Sequence, residues 1–376
     1  MKAIVIGGGI IGASTAFRLA QAGAEVTLLE AGRLASGTSS TSFAWMNSNN
    51  KAPIAYHRLN SGGMTEHMAL AEELGRARWL HVDGNAIWAD PADPASNEPA
   101  VPVEGERFGV KMSRLREWGY PVELLTPAEL RAIHPEIRVH DGVERVAYFP
   151  TEGWIDVPLL VATLARAAER HGADTQTGQE VVELIREGSW VVGVRTAAGD
   201  LISADIVVSC AGRWTDRIAA MARIALPMAP TLGLLVTSTP VATTLRALAH
   251  SSRVNIRPAG GSRVLMASFE HDQRLAPGDS PEVLGGYAAE ILKRAREVLP
   301  DLAGASVDSY VVGVRSIPEG GFPVVGPVPG MEGLYVIATH SGVTMGPLLG
   351  RLAAREILAG TIDERLYPYR PGRLIS

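Results

Sequence analysis

Apolar positions along the chain fall into short β-branched runs separated by stretches with helical spacing. This alternation is what a sheet covered by helices requires. Lys2–Ile6 is a run of strand length that leads directly into Gly7, Gly8, Gly9 and Gly12. Ala16, Leu19 and Ala20 then recur on one helical face until Gly23 interrupts them, and Glu25–Leu29 forms a second strand ending on Glu30. The regularity lapses over residues 32–50, a polar stretch of small residues that includes Gly37 to Ser42. Downstream, the pattern predicts a helix over about 157–171, strands at Val181–Ile185 and Trp190–Thr196, and a strand at Ile206–Cys210 that ends on Ala211 and Gly212. Ala86–Ala89, Gly233–Ser238, Arg253–Arg257, Val264–Ala267 and Tyr310–Val314 also read as strands. A last strand at Gly333–Ala338 runs into a glycine-containing turn and a helix to about Ala359.

Composition narrows the class. The chain has 376 residues, 46% of them hydrophobic, enough for a large core and two or three domains. Lys and Arg are scattered and the net charge is -5, so neither a nucleic-acid surface nor an anionic-membrane surface is indicated. One cysteine, Cys210, excludes an intrachain disulfide framework and a cysteine-based zinc site, and fits a reducing cytoplasm. The opening apolar run is broken by glycines, and no uncharged run reaches the roughly 18 residues of a membrane helix. The expectation is a soluble cytoplasmic protein without a metal; the oligomeric state is open.

The first strand, glycine turn and helix form a phosphate cradle. Gly7 permits the tight turn, Gly9 admits the pyrophosphate to the backbone, and Gly12 lets helix and strand pack closely. The first-turn N–H groups, among them those of Ile10 and Ile11, present a positive dipole end to the phosphates. Glu30, 18 residues past Gly12, is placed to accept the ribose hydroxyls, with Ala31 beside it. An acid there argues against a 2′-phosphate. Regular βα units do not follow, as they would in a simple NAD domain; a strand meander and a second glycine-rich strand-to-helix turn suit FAD better.

Five segments, residues 6–30, 37–42, 204–218, 311–327 and 333–357, together resemble the D-amino-acid oxidase superfamily, nearest to its glycine oxidase and sarcosine oxidase branch. The resemblance implies an α/β Rossmann-type FAD-binding domain of residues 1–78, 141–225 and 313–376. It is interleaved with a mixed-sheet α+β substrate domain of residues 79–140 and 226–312.

The resemblance also assigns residues. Arg315 matches the arginine that receives the substrate carboxylate. A planar guanidinium suits a carboxylate through paired N–H···O bonds, although a structural salt bridge to an acid such as Glu319 would also satisfy it. Thr38, Ser39, Ser40 and Ser42 would wrap the pyrophosphate and ribityl side of FAD. The stretch from Phe43 to Asn47 would lie beside the ring, with Trp45 and Met46 either walling the pocket or filling the core. Val181 and Val182 fit the position whose backbone meets adenine, and Ala211, Gly212 and Trp214 the ribityl chain. Gly342, Val343, Thr344 and Met345 fit the helix start at the flavin N1–C2=O edge; His340 before it is a cap or a charge. Asn255 stands where glycine oxidases place a substrate-contacting tyrosine, and Arg257 nearby reads a second anionic group or forms a surface pair. No cysteine follows Arg315, so the FAD is expected to be non-covalent.

The implied activity is oxidation of the C–N bond of a small-molecule amino acid, glycine-like or an N-substituted glycine, by hydride transfer from Cα to flavin N5. Imine hydrolysis would give an α-keto acid and an amine, with O2 as acceptor and peroxide as product. The alternation of Val254, Ile256, Val264 and Met266 suggests room for an apolar substrate tail. Alternatives are a dehydrogenase of an amine or 2-hydroxy acid serving a protein or quinone acceptor, and a non-catalytic flavin-binding subunit.

Overall fold

The computed structural model describes residues 1–75, 78–89, 108–229 and 231–375. Part of the expected substrate segment 79–140, residues 90–107, lies outside the described residues.

A nine-stranded sheet is built around Lys2–Ile6, which pairs in parallel with Glu25–Glu30 on one side and Ile206–Ser209 on the other. Asp174–Thr177 and Met331–Ala338 extend it in parallel. The central strand is β-branched and buried on both faces from Ala3 to Ile6, as a covered parallel strand must be. Helices Ile10–Gln21, Val157–Arg170 and Gly342–Ala359 pack together over one face of this sheet. Gly350 lets the last helix touch the first: a Cβ there would lie 2.7 Å from the Ser14 carbonyl carbon.

The second sheet has eight strands. In spatial order they are Val307–Arg315, Thr231–Ser238, Val264–Ala267, Asn255–Pro258, Leu248–His250, Asn85–Ile87, Val146–Phe149 and Glu123–Leu125. Its pairings are antiparallel except that of Leu248–His250 with Asn85–Ile87, so the sheet is mixed. Helix Pro281–Val298 buries Ala288, Ile291, Leu292 and Ala295 against its outer face. A small third sheet joins Trp45–Met46, Gly153–Ile155 and Leu80–His81. The α/β class matches the expectation, and the strands end within a few residues of where the sequence places them.

One expectation is corrected. Val254, Ile256, Val264 and Met266 are buried in the core beneath the eight-stranded sheet, together with that helix. Strand alternation sends their neighbours Asn255 and Ala267 to the opposite face, which borders the cavity. The apolar row holds the sheet against that helix and does not face the cavity; Leu234, Leu235, Ala267 and Phe269 are the apolar side chains that line it there. No helix among the described residues is long and apolar enough to cross a membrane.

Candidate active site

A cavity of about 730 Å³ runs between the two large sheets, from the glycine turn after the first strand to the start of the last helix. At one end the Gly7 backbone has φ 104°, and a Cβ there would lie 2.6 Å from the Cys210 carbonyl oxygen. A Cβ on Gly12 would overlap the Gly7 carbonyl, so this turn accepts only glycine at both places. Helix Ile10–Gln21 starts at Gly9 with no side-chain cap, although Ser39 Oγ accepts the Ile10 N–H at 3.1 Å. The Glu30 carboxylate accepts the Gly8 and Gly32 N–H groups, each at 2.7 Å, which fixes it at the end of its strand facing the turn.

At the other end, helix Gly342–Ala359 begins at Ser341, also with no side-chain cap and no acid in its first turn. Its N-terminal N–H groups and positive dipole end border the cavity. Tyr56 and Ser341 share a hydrogen bond of 2.8 Å, and Thr344 Oγ1 accepts the Asn47 N–H at 3.3 Å, tying the helix start to the residue 43–47 loop. His340 is half-buried there beside the charges of Lys51 and Arg315. Burial first, and those charges second, push its pKa down to about 3, so it is a neutral ring.

Most expected site residues meet in this one cavity. Gly7, Gly9, Ile10, Ile11, Glu30, Ala31, Thr38, Ser39, Ser42, Trp45, Ala211, Gly212, Trp214, Asn255, Arg315, Gly342, Val343 and Thr344 line it. Gly12 lies behind the turn. Met46 and Met345 are buried in the core, so of the Trp45–Met46 pair only Trp45 walls the cavity. Ser40 is exposed, its hydroxyl turned to the Gly37 carbonyl at 3.1 Å. Val182 points its side chain to solvent, while Val181 borders the cavity. Arg257 is neither a surface pair nor a cavity residue. It is buried, donates to the Phe43 and Pro258 carbonyls, each at 2.5 Å, and covers the Trp154 ring at 4.6 Å. Cys210 is buried, its thiol pushed up to about 12 by burial, so it is not a thiolate.

Arg315, at the end of strand Val307–Arg315, lies on the cavity wall. It crosses Gly233, where a Cβ would lie 2.6 Å from Nη2, and donates to the Leu232 carbonyl. Its ion-pair partner is Asp272 on the short helix Phe269–Arg274, in place of the Glu319 considered from sequence. Burial raises the Asp272 pKa, and Arg315 opposes that shift.

The sequence reading missed Asp272, His250 and Glu152. Glu152 is fully buried and receives hydrogen bonds from Trp45, Tyr120, Asn49 and Asn85. None of the three belongs to a motif. Each meets its partners only through segments far apart in sequence, so nothing in the local sequence marks them.

A two-ended cavity with a glycine cradle, a fixed ribose acceptor and a second uncapped helix start fits one long anionic dinucleotide such as FAD. Among the described residues, no group of three or more His, Cys, Asp or Glu is placed to hold a metal.

Comparison with known proteins agrees with this reading. The chain is 28% identical over 358 residues to a glycine oxidase of Geobacillus kaustophilus, covering 93% of this chain and 91% of that one. It is 29% identical over 391 residues to a glycine oxidase of Pseudomonas aeruginosa, covering 99% of each. The crystal structure of the Geobacillus kaustophilus glycine oxidase superposes with a TM-score of 0.82 at 27% identity, over 100% of this chain and 99% of that one. An L-proline dehydrogenase from P. horikoshii shares the fold, with a TM-score of 0.83 at 22% identity over 99% and 97% of the two chains. Residues 2–356 match the family described as DAO, FAD dependent oxidoreductase. The chain belongs to that family, and it is an FAD-dependent oxidoreductase.

Proposed function

We propose that this enzyme oxidises the C–N bond of an amino acid, a glycine or an N-substituted glycine, with Arg315 receiving the carboxylate. The observation that carries the reading is Arg315 itself. It is a guanidinium on the cavity wall, on the eight-stranded sheet, with His340 before the last helix near enough to feel its charge. The two glycine oxidases at 28% and 29% identity point to the same substrate class.

The division of labour follows the sheets. The nine-stranded sheet and its helices hold FAD non-covalently through Gly7, Gly9, the first turn of helix Ile10–Gln21, and Glu30. The eight-stranded sheet presents the substrate. FAD, when bound, would supply the acceptor for the hydride of the Cα–H bond, which carries both electrons. The protein's task is to orient, since a fixed near-attack geometry is the larger part of such catalysis. Arg315 fixes the carboxylate, and Asp272 and the Leu232 carbonyl fix Arg315. The start of helix Gly342–Ala359 stabilises negative charge at the far end of the cavity, with the charges of Lys51 and Arg315 close enough to add to it. No side chain need act as base if the amine is bound neutral.

The acceptor is O2 in this proposal. Turnover of the FAD-loaded enzyme on glycine, sarcosine, N-alkyl glycines, D- and L-amino acids and 2-hydroxy acids tests it. Peroxide release equal to amine consumed supports the oxidase. Turnover that needs an added quinone or dye selects the dehydrogenase, and turnover on hydroxy acids alone removes the amine assignment.

A further inference from the structure

We propose that His250 is a specificity residue whose Nε2 accepts a hydrogen bond from an O–H or N–H at the far end of the substrate's nitrogen substituent. The substrate is then an extended N-substituted glycine. The inference rests on the amine reading above and narrows it.

The first support is the direction of a buried hydrogen-bond chain. Glu152 receives the Trp45 indole N–H at 2.9 Å, the Tyr120 hydroxyl at 2.6 Å and the Asn49 amide at 2.8 Å. The Asn85 amide donates to it at 2.9 Å. Indole and amide nitrogens only donate, so the carboxylate is the acceptor hub. With its NH2 committed to Glu152, Asn85 turns its carbonyl oxygen to His250 Nδ1, 2.7 Å away. That oxygen only accepts, so Nδ1 carries the proton and Nε2 is left as a bare acceptor. Nε2 has no hydrogen-bond partner among the described residues, and the ring lines the cavity. Burial, with a smaller contribution from Lys111, pushes the His250 pKa down to about 3. The ring therefore stays neutral and takes a hydrogen bond rather than a proton.

The second support is placement. His250 lies against Trp45, ring centroids 4.1 Å apart, and meets Phe43 edge-on at 5.5 Å. Both neighbours line the cavity, so the imidazole is held rigidly in an aromatic corner. The Arg315 guanidinium lies over Gly233, and three strand-to-strand steps separate the Gly233 strand from that of His250. At about 4.8 Å per step this is ~14 Å. The carboxylate and amine of a glycine lie within about 4 Å of each other. A substrate seated on Arg315 therefore meets His250 with its nitrogen substituent, not with its amine. Glu152 and Asn85 are positioning residues, acting through His250 and Trp45.

The test uses the FAD-loaded enzyme and two substrates of equal length, N-(2-hydroxyethyl)glycine and N-propylglycine. The expected kcat/KM ratio favours the hydroxyl compound by about tenfold or more, the worth of one hydrogen bond to a buried acceptor. The ratio collapses towards one in His250→Phe, and Asn85→Leu lowers it chiefly through KM. Nitrogen-15 NMR of the unmodified protein gives a reading free of any variant: His250 is expected as the Nδ1–H tautomer. An Nε2–H tautomer, or a ratio near one in the unmodified enzyme, overturns the inference while oxidation of both compounds leaves the amine reading standing. Failure to oxidise any amine overturns that reading and this one with it.

Discussion

Arg315 and Asp272 form an ion pair on the cavity wall, with the Asp272 side chain only 7% exposed. The pair and the Leu232 carbonyl hold the guanidinium across Gly233 on the cavity wall. A lysine at position 315 keeps the charge and loses the fork. Arg315→Lys is expected to raise KM for glycine-type substrates by about 10- to 100-fold, the range of a charge-assisted hydrogen bond. Arg315→Leu would also leave the buried Asp272 carboxylate without its cation, met only by the Leu234 N–H, and cost stability of about 2–4 kcal/mol. Steady-state kinetics and denaturant titration check the two; an unchanged KM in Arg315→Lys removes Arg315 from the substrate site.

Two glycines separate cofactor binding from folding. Gly12→Ala pushes a methyl into the Gly7 carbonyl and deforms the cradle, so the protein is expected to purify with little or no FAD. Gly350→Ala pushes a methyl against the Ser14 backbone between two helices. It is expected to lower stability by about 1–3 kcal/mol, the usual cost of overpacking, with the flavin content of the folded fraction preserved. Flavin-to-protein absorbance ratios and thermal melts distinguish these outcomes.

Glu30 is pinned by the Gly8 and Gly32 N–H groups before any ligand enters, so it offers a prepared acceptor. Glu30→Ala loses that acceptor and frees the glycine turn. FAD affinity is expected to fall about 10- to 100-fold, equivalent to roughly 1.4–2.8 kcal/mol. Fluorescence titration of the apoprotein with FAD measures it, and wild-type affinity in this variant would mean that Glu30 holds only the loop.

Three histidines with lowered pKa values set an acid limit. His67, His250 and His340 are pushed by burial to about 4, 3 and 3. Their native pKa values lie below the unfolded value near 6.5, so the stability they confer is complete above about pH 6.5. It is lost as pH falls through 6.5 towards 3–4, by up to about 1.4 kcal/mol per pH unit for each ring. Glu152 and Asp272 act in the opposite sense: burial raises both, so their contribution grows as pH falls through their native pKa values. The steepest loss is therefore expected just below pH 6.5. Denaturant midpoints at about pH 7.5 and 5.5 test it, and His67→Phe should flatten the slope by one ring's share. A flat profile in the unmodified protein contradicts the neutral rings.

The cofactor half of the molecule is legible in sequence because its chemistry is local. Gly7 to Gly12 and Glu30 sit within one βαβ stretch, and each is required by backbone geometry that a short segment fixes. The half built on the eight-stranded sheet is not. Asn255, His250 and Asn85 become neighbours only through strand pairings in the eight-stranded sheet, and Asp272 meets Arg315 only when helix Phe269–Arg274 packs beside it. Alternation along Val254–Arg257 gives the period, yet not which face is core; Val254 and Ile256 took the core side. Arg257 shows a different limit, since a buried cation satisfied by the Phe43 and Pro258 carbonyls looks in sequence like any polar strand residue.

Anaerobic reduction of the bound flavin tests the central claim most directly. The oxidised-flavin absorption band of the unmodified enzyme and of Arg315→Leu is followed as glycine, sarcosine and longer N-substituted glycines are added without air. Rapid bleaching by at least one of them in the unmodified enzyme, reversed by air with peroxide release and strongly slowed in the variant, is the predicted result. Bleaching by none of these amines, or equally fast bleaching in the variant, would contradict the account.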